Sequence, residues 1–91
     1  MTFEATPDSI LYVITGDNCA ACRTLKPTLV DICEAMSLEL VELPTKDNMG
    51  LVRSLGIRSV PCVVYKGKVV FSGSWNRGPA EKLISAAMDV E

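Results

Sequence analysis

The sequence predicts an α/β domain, built as a four-stranded mixed sheet in the order β-α-β-α-β-β-α with helices on both faces. A continuous apolar run at residues 10–14 indicates a strand that is buried on both of its faces. Apolar residues at helical spacing follow it between residues 25 and 36. Two later apolar runs, 62–65 and 69–71, flank a Lys-Gly-Lys turn and predict a β-hairpin.

The first helix is expected directly after the first strand. Asp17 or Asn18 is the expected N-cap, because short polar side chains accept hydrogen bonds from the free N–H groups of a helix start. Pro27 lies inside this helix and is expected to kink it. The stripe that faces the core is predicted to contain Leu25, Leu29, Ile32, Cys33 and Met36.

A second strand and a short helix are expected next. Residues 38–43 alternate apolar and acidic side chains, which indicates a strand, and the crossover through the first helix predicts that it runs parallel to the first strand. Asp47 or Asn48 is the expected cap of a short helix that stops at Gly56. The apolar residues of this helix are Leu51, Val52 and Leu55.

The last helix is expected to follow the hairpin, whose strands add to the sheet in antiparallel fashion. Gly78 and Pro79 are expected to begin it, with the proline at the first helical position, and it should continue through Met88. The side chains predicted to face the sheet are Leu83, Ile84, Ala87 and Met88.

The chain length of 91 residues predicts a single domain over residues 1–91, with its core at about 9–90 and a short lead-in before it. The net charge is -2 and no run of Lys or Arg occurs, which argues against nucleic-acid binding. No segment approaches the roughly 20 apolar residues of a membrane span. We therefore expect a monomer with no nucleic-acid or membrane partner.

The cysteine content predicts a reducing compartment. The first residues carry acid and proline instead of a basic flank and an apolar run, so no signal peptide is expected. Four cysteines without an export signal favour the cytoplasm, where cysteine pairs are more often catalytic or metal-binding than structural.

Two cysteines mark the junction between the first strand and the first helix. Cys19 falls on the first turn, where free backbone N–H groups and the helix dipole favour a thiolate over a thiol, so it is predicted to be a nucleophile. Cys22 lies almost one turn later on the same face, so it can attack a mixed disulfide that Cys19 has formed. A strand–CxxC–helix unit predicts dithiol–disulfide exchange that ends in a Cys19–Cys22 disulfide.

The cysteines have two other interpretations. A structural disulfide with this spacing would close a very small loop and would add little chain-entropy stabilisation. A zinc site would need all four cysteines, because the chain has no histidine. Cys33 lies roughly 16 Å along the helix from Cys22, too far for zinc–sulfur bonds of about 2.3 Å. We therefore expect no metal site.

Three features of the chain occur in a fixed order. The CxxC follows the first strand, Pro27 comes five residues after Cys22, and residues 55–69 read Leu-Gly-Ile-Arg-Ser-Val-Pro-Cys-Val-Val-Tyr-Lys-Gly-Lys-Val. With these features the chain resembles the thioredoxin/glutaredoxin superfamily over residues 9–90, and residues 55–69 resemble the thioredoxin segment around its cis-proline. The ordered set is far more specific than a lone CxxC. The length is similar to that of glutaredoxins, whereas the local sequence is closer to thioredoxin.

The resemblance implies a cis peptide bond before Pro61, next to the active-site sulfurs. It also implies that the backbone of Val60 pairs with an incoming peptide or with glutathione. A trans proline at a strand start is the alternative. The implied reaction reduces disulfide-bearing protein substrates, and a thioredoxin reductase or glutathione restores the dithiol. No bound metal or organic cofactor is needed, although a metal cluster bridged between two chains through Cys19 and glutathione stays open.

The chain departs from the thioredoxin pattern around its cysteines. Asn18 stands where thioredoxins carry tryptophan, and Ala20 and Ala21 replace the central Gly-Pro pair. Val13 stands where thioredoxins bury an acid that assists proton transfer, so the Cys22 proton must leave by another route. These changes leave the redox potential and the partner specificity open.

Residues before the last helix leave two further functions open. Glutathione-binding glutaredoxins usually carry paired glycines here, where this chain has Gly73 and Ser74. Trp75 and Arg77 resemble in place the Trp and Arg of redoxins that donate electrons to ribonucleotide reductase. One alternative function is therefore such an electron donor. Another is a redox-inactive adaptor that docks through Trp75, although the retained cysteines argue against it.

Three remaining side chains each have a structural and a functional interpretation. Cys62 is predicted to be a small buried residue, with a regulatory third thiol as the alternative. Trp75 is expected either to pack in the core or to dock a partner. Arg58 is expected to be a solvated charge, and attraction of an anionic substrate is its alternative role.

Overall fold

A computed structural model describes residues 9–89 and confirms the predicted order of elements. A short 3₁₀ turn, Thr45–Asp47, precedes the second helix. The lead-in predicted before residue 9 lies outside the described residues. The elements are β1 (Ile10–Thr15), α1 (Ala20–Met36), β2 (Glu39–Pro44), α2 (Met49–Ser54), β3 (Cys62–Tyr65), β4 (Lys68–Ser72) and α3 (Arg77–Asp89).

The four strands form one mixed sheet in the order β2-β1-β3-β4. β1 pairs with β2 in parallel, and β3 is antiparallel to both β1 and β4, as predicted. In the central antiparallel pair, Ile14 near the end of β1 lies opposite Cys62 at the start of β3. The loop that follows β1 and the loop that precedes β3 therefore meet at the same edge of the sheet.

Helices cover both faces of the sheet, because the central strands alternate their apolar side chains between two clusters. α1 and α3 cover one face and α2 covers the other, which confirms the predicted architecture. The larger cluster contains Leu11, Val13, Leu25, Leu29, Ile32, Cys33, Val63, Tyr65, Phe71, Ala80 and Ile84. The smaller cluster contains Ile14, Val52, Cys62 and Val64.

The predicted N-cap of α1 is wrong. Asn18 adopts a left-handed φ of 53°, and Asp17 also precedes the cap. Cys19 is the N-cap, with extended backbone angles (φ −98°, ψ 100°), and its sulfur accepts a hydrogen bond from the N–H of Cys22. The sulfur thus has the role that a side-chain oxygen of Asp17 or Asn18 was expected to have.

The last helix begins two residues before the proline that was expected to start it. The first helical hydrogen bond runs from the N–H of Ala80 to the carbonyl of Asn76 (3.0 Å), so α3 starts at Arg77. Pro79 is its third residue. The first N–H groups of a helix have no partner within the helix, so the missing N–H of proline costs nothing anywhere in the first turn.

Gly56 stops α2 as predicted. Its φ is +68°, and its N–H donates a hydrogen bond to the carbonyl of Arg53 (3.2 Å). The N–H of Ile57 donates to the carbonyl of Val52 (3.0 Å). These two bonds form a Schellman motif. At the helix start, Asn48 occupies the N-cap position, but its side-chain N–H₂ donates to the backbone of the preceding strand instead of capping the helix.

The hairpin turn between β3 and β4 consists of Lys66 and Gly67. Both have positive φ values, 50° and 79°. Two positive φ values are typical of a type I′ turn, whose twist matches that of the flanking strands. The turn lies at the opposite end of β3 from Pro61, and this hairpin confirms the sequence prediction.

Replacing Gly56 by alanine tests the stop of α2. Gly56→Ala is expected to destabilise the fold by about 1–2 kcal/mol, because a residue with a Cβ resists the left-handed conformation. The added methyl would meet no other atom within 4 Å, so backbone strain alone is tested. Urea denaturation measures the free energy of unfolding.

Gly50→Ala is the matched control, because Gly50 lies in α2, has no positive φ and also has open space around it. This control is expected to leave the stability unchanged or to raise it slightly. Equal losses in the two variants would contradict the Schellman assignment.

Candidate functional site

The two cysteines of the CxxC motif lie at the junction of the β1–α1 loop with α1. They form a disulfide, and their Cα atoms are 5.2 Å apart. Cys19 is half-buried, whereas only 8% of the surface of Cys22 is exposed. The two cysteines are therefore paired in this structure, and Cys19 is the more exposed residue of the two.

The helix start provides the electrostatic environment of the Cys19 sulfur. The N–H of Cys22 donates a hydrogen bond to the Sγ atom of Cys19 over 3.0 Å. The first turn of α1 carries no acidic side chain, so no negative charge opposes the helix dipole there. In the reduced protein, both the N–H group and the dipole favour a thiolate at Cys19.

A second loop lies against this sulfur. The peptide bond between Val60 and Pro61 is cis, which confirms the prediction from the resemblance. The carbonyl oxygen of Val60 lies 3.9 Å from the Sγ of Cys19. Pro61 is buried, and its carbonyl accepts a hydrogen bond from the N–H of Gly73 (2.8 Å). A Cβ atom at Gly16 would lie 3.0 Å from the Val60 side chain, so glycine permits the close approach of the two loops.

Val13 occupies the position at which the resemblance implies a buried acid. Val13 is 2% exposed in the larger cluster. Its register partner on β2 is Glu42, which accepts a hydrogen bond from the hydroxyl of Thr15 (3.1 Å) and forms an ion pair with Lys26 (2.9 Å). The hydrogen bond from Lys26 is the main cause that lowers the pKa of Glu42 below its usual 4.5. The alternation of β2 indicated an acidic strand face but could not reveal its partner on α1.

The other two cysteines are free and buried. Cys33 is 3% exposed and Cys62 is 1% exposed. Burial raises the pKa of Cys33 to about 11 and also raises that of Cys62. Both groups therefore remain neutral thiols near pH 7, which is the behaviour of small core residues.

Trp75 lies on the surface, with 38% of its area exposed. Its indole N–H donates to the carbonyl of Ser72 (2.8 Å), and its ring centroid lies 5.4 Å from that of Phe71. The ring is thus neither a core residue nor fully solvated. Gly73, two residues before Trp75, is the residue whose N–H donates to the carbonyl of Pro61.

The described part of the chain, residues 9–89, contains no group of three or more His, Cys, Asp or Glu side chains that could hold a metal ion. Within the same residues, every helix is too short or too polar to cross a bilayer.

Comparison with known proteins assigns the family. A family model described as a thioredoxin domain matches residues 11–85. The chain belongs to the thioredoxin family. A CxxC pair within disulfide distance on a thioredoxin domain supports a redox function in general. No curated protein sequence matches this thioredoxin-family chain significantly.

Solved thioredoxin structures share the fold. A mutant thioredoxin from Halobacterium salinarum NRC-1 superposes with a TM-score of 0.74 at 22% identity, over 92% of this chain and 78% of that one. Thioredoxin 1 from Thermosipho africanus TCF52B superposes with a TM-score of 0.69 at 14% identity, over 88% of this chain and 94% of that one. The thioredoxin of Fasciola hepatica superposes with a TM-score of 0.67 at 20% identity, over 85% of this chain and 78% of that one.

Removing the cation that faces Glu42 tests the ion pair. A lowered pKa in the folded state stabilises the fold above the unfolded-state pKa, and this stabilisation is lost as the pH falls through the folded-state pKa. Lys26→Met is therefore expected to lower the free energy of unfolding at about pH 7 by about 0.2–1 kcal/mol, the range for exposed pairs. At about pH 2 the variant and the parent should have the same free energy of unfolding.

Urea denaturation at both pH values measures this difference. Lys82→Met is the control, because Lys82 is exposed on α3 and forms no ion pair with a described residue. A stability difference for Lys26→Met that is the same at both pH values would contradict a charge effect.

Thiol alkylation tests the two free cysteines. In the native oxidised protein, Cys33 and Cys62 are expected to resist iodoacetamide at about pH 8, because burial limits access and raises both pKa values. Mass spectrometry should detect two alkylated cysteines only after unfolding in urea without reductant. Rapid modification of Cys62 in the folded protein would instead support the alternative of a third reactive thiol.

Proposed function

We propose that the protein is a cytoplasmic thiol–disulfide oxidoreductase that reduces disulfides in partner proteins. The observation that carries this proposal is the hydrogen bond from the N–H of Cys22 to the sulfur of Cys19 at the start of α1 (3.0 Å). It stabilises negative charge on the sulfur of the more exposed cysteine, which is the requirement for a nucleophilic thiol.

The first step forms a mixed disulfide. The thiolate of reduced Cys19 attacks one sulfur of a substrate disulfide, so a bond forms between these two sulfurs and the substrate S–S bond breaks. The other substrate sulfur leaves as a thiolate and takes up a proton from water.

The second step releases the substrate. Cys22 loses its proton to solvent and attacks the sulfur of Cys19, which forms the Cys19–Cys22 disulfide and expels the second substrate thiolate. The substrate gains two electrons and the protein loses two. The disulfide in the structure corresponds to the product of this half-reaction.

The Val60–Pro61 loop suits a substrate backbone. No described residue accepts a hydrogen bond from the N–H of Val60, and its carbonyl faces the sulfur of Cys19 at 3.9 Å. An extended peptide can pair with these two groups as an added strand. The bond from Gly73 to Pro61 fixes the loop from behind, so the loop can orient the substrate.

A second oxidation–reduction partner must restore the dithiol. We propose either a thioredoxin reductase or two molecules of glutathione, which leave as glutathione disulfide, because either source supplies the two electrons that the Cys19–Cys22 disulfide needs. The cycle runs on a monomer, and electron donation to ribonucleotide reductase would be a special case of the same chemistry.

A redox-inactive adaptor is the second candidate function, and the exposure of Trp75 is the observation that favours it. An adaptor would dock through this ring and would use neither sulfur. An insulin-reduction assay separates the two proposals, because only the activity of an oxidoreductase depends on Cys19.

Reduction of insulin disulfides with dithiothreitol as electron source tests the proposed function. The protein is expected to accelerate precipitation of the insulin chains, and Cys19→Ser should return the rate to the background. Cys22→Ser should accumulate a mixed disulfide with the substrate, visible on non-reducing gels, because the resolving thiol is gone.

Cys33→Ala is the control, since Cys33 lies in the core away from the disulfide, and it should retain turnover. No acceleration by the parent protein, or equal rates for the parent and Cys19→Ser, would favour the adaptor. The electron donor is identified by supplying the oxidised protein either with NADPH and thioredoxin reductase or with glutathione and its reductase. The system that reduces the Cys19–Cys22 disulfide faster is the donor.

A further inference from the structure

A cavity of about 450 Å³ lies on the α2 face of the sheet, between the start of the β1–α1 loop and the loop that contains Val60. We call it the side pocket. Its apolar walls come from Met49, Val52, Ile57 and Val60. The carbonyl of Val60 lies 3.9 Å from the sulfur of Cys19, so one wall residue of the pocket also borders the proposed reactive sulfur. A volume of this size has room for a group larger than one side chain, and the lining suits an apolar group.

The rim of the side pocket carries an excess of positive charge. Lys46 and Arg58 are exposed and line it, against one acid, Asp17. None of the three forms an ion pair with a described residue. The whole chain has a net charge of -2, so this cationic rim contrasts with the rest of the molecule. An anionic group beside the apolar group would complement it.

The position of Val60 relates the pocket to the substrate backbone. A peptide that pairs with Val60 is extended, and its successive side chains point to opposite sides. When the substrate cysteine faces Cys19, a side chain within two positions of it can reach past Val60 into the pocket. The next side chains then lie along the rim, near Lys46 and Arg58.

We propose that Arg58 and Lys46, on the rim of the side pocket, select disulfide substrates that carry an acidic residue close to the reacting cysteine. This proposal rests on the proposed function, because it names the class of disulfide that Cys19 reduces.

Reduction of synthetic peptide disulfides tests it. Homodimers of Glu-Leu-Cys-Leu-Glu, Lys-Leu-Cys-Leu-Lys and Ser-Leu-Cys-Leu-Ser are mixed with excess reduced protein, and chromatography follows the released thiol. The symmetric sequences give the same result for either direction of the bound strand. The acidic peptide is expected to react faster than the lysine peptide by up to about fivefold, which corresponds to an exposed ion pair.

Charge reversal on the rim provides the decisive comparison. Arg58→Glu should invert the preference between the acidic and the lysine peptide, with the rate of the serine peptide as the reference within each variant. Arg53→Glu is the matched control, because Arg53 is an exposed arginine on α2 that does not line the pocket. This control should keep the preference for the acidic peptide.

Each outcome has a separate meaning. Equal rates for the three peptides, a faster lysine peptide, or equal effects of Arg58→Glu and Arg53→Glu would overturn the side-pocket proposal while the reductase function stands. Loss of the acidic preference in Arg58→Gln, a variant without the reversed charge, would support it further. Failure to reduce any peptide or insulin would instead overturn the proposed function.

Discussion

The hydrogen bond from the N–H of Cys22 to the sulfur of Cys19 is the interaction on which the redox site depends. A helix start leaves N–H groups without partners, and most helices satisfy them with an oxygen of a capping side chain. Here the capping atom is itself the proposed reactive atom. The same contact therefore begins α1 and stabilises the negative charge that the proposed exchange reaction requires.

The sheet order brings the second half of the site to this sulfur. β1 and β3 are adjacent and antiparallel, so the end of β1 and the start of β3 share one edge. The disulfide follows β1, and Pro61 directly precedes β3. β2 is parallel to β1, so the loop that follows β2 starts at the same edge. Residues of this loop line the side pocket, which therefore lies at that edge as well. Three loops distant in sequence thus form one continuous surface around Val60.

Much of this arrangement could be predicted from the sequence, since the apolar patterns of the strands and of α1 are strong. The predicted start of α3 is two residues too late. A proline is tolerated throughout the first helical turn, so Pro79 does not mark the boundary of the helix. The cap of α1 was missed because propensities favour Asp17 or Asn18 over a sulfur. The contact of Lys26 with Glu42 and the walls of the side pocket join separate elements, and local patterns carry no information about such distances.

The two ends of β3 differ in what they tolerate. Pro61 at one end is buried and bonded to Gly73, whereas the type I′ turn of Lys66 and Gly67 at the other end faces away from the disulfide. Loop tips of this kind accept insertions with little cost. A fluorophore or an affinity peptide attached at this hairpin tip would report on, or immobilise, the protein without obstructing its sulfur chemistry.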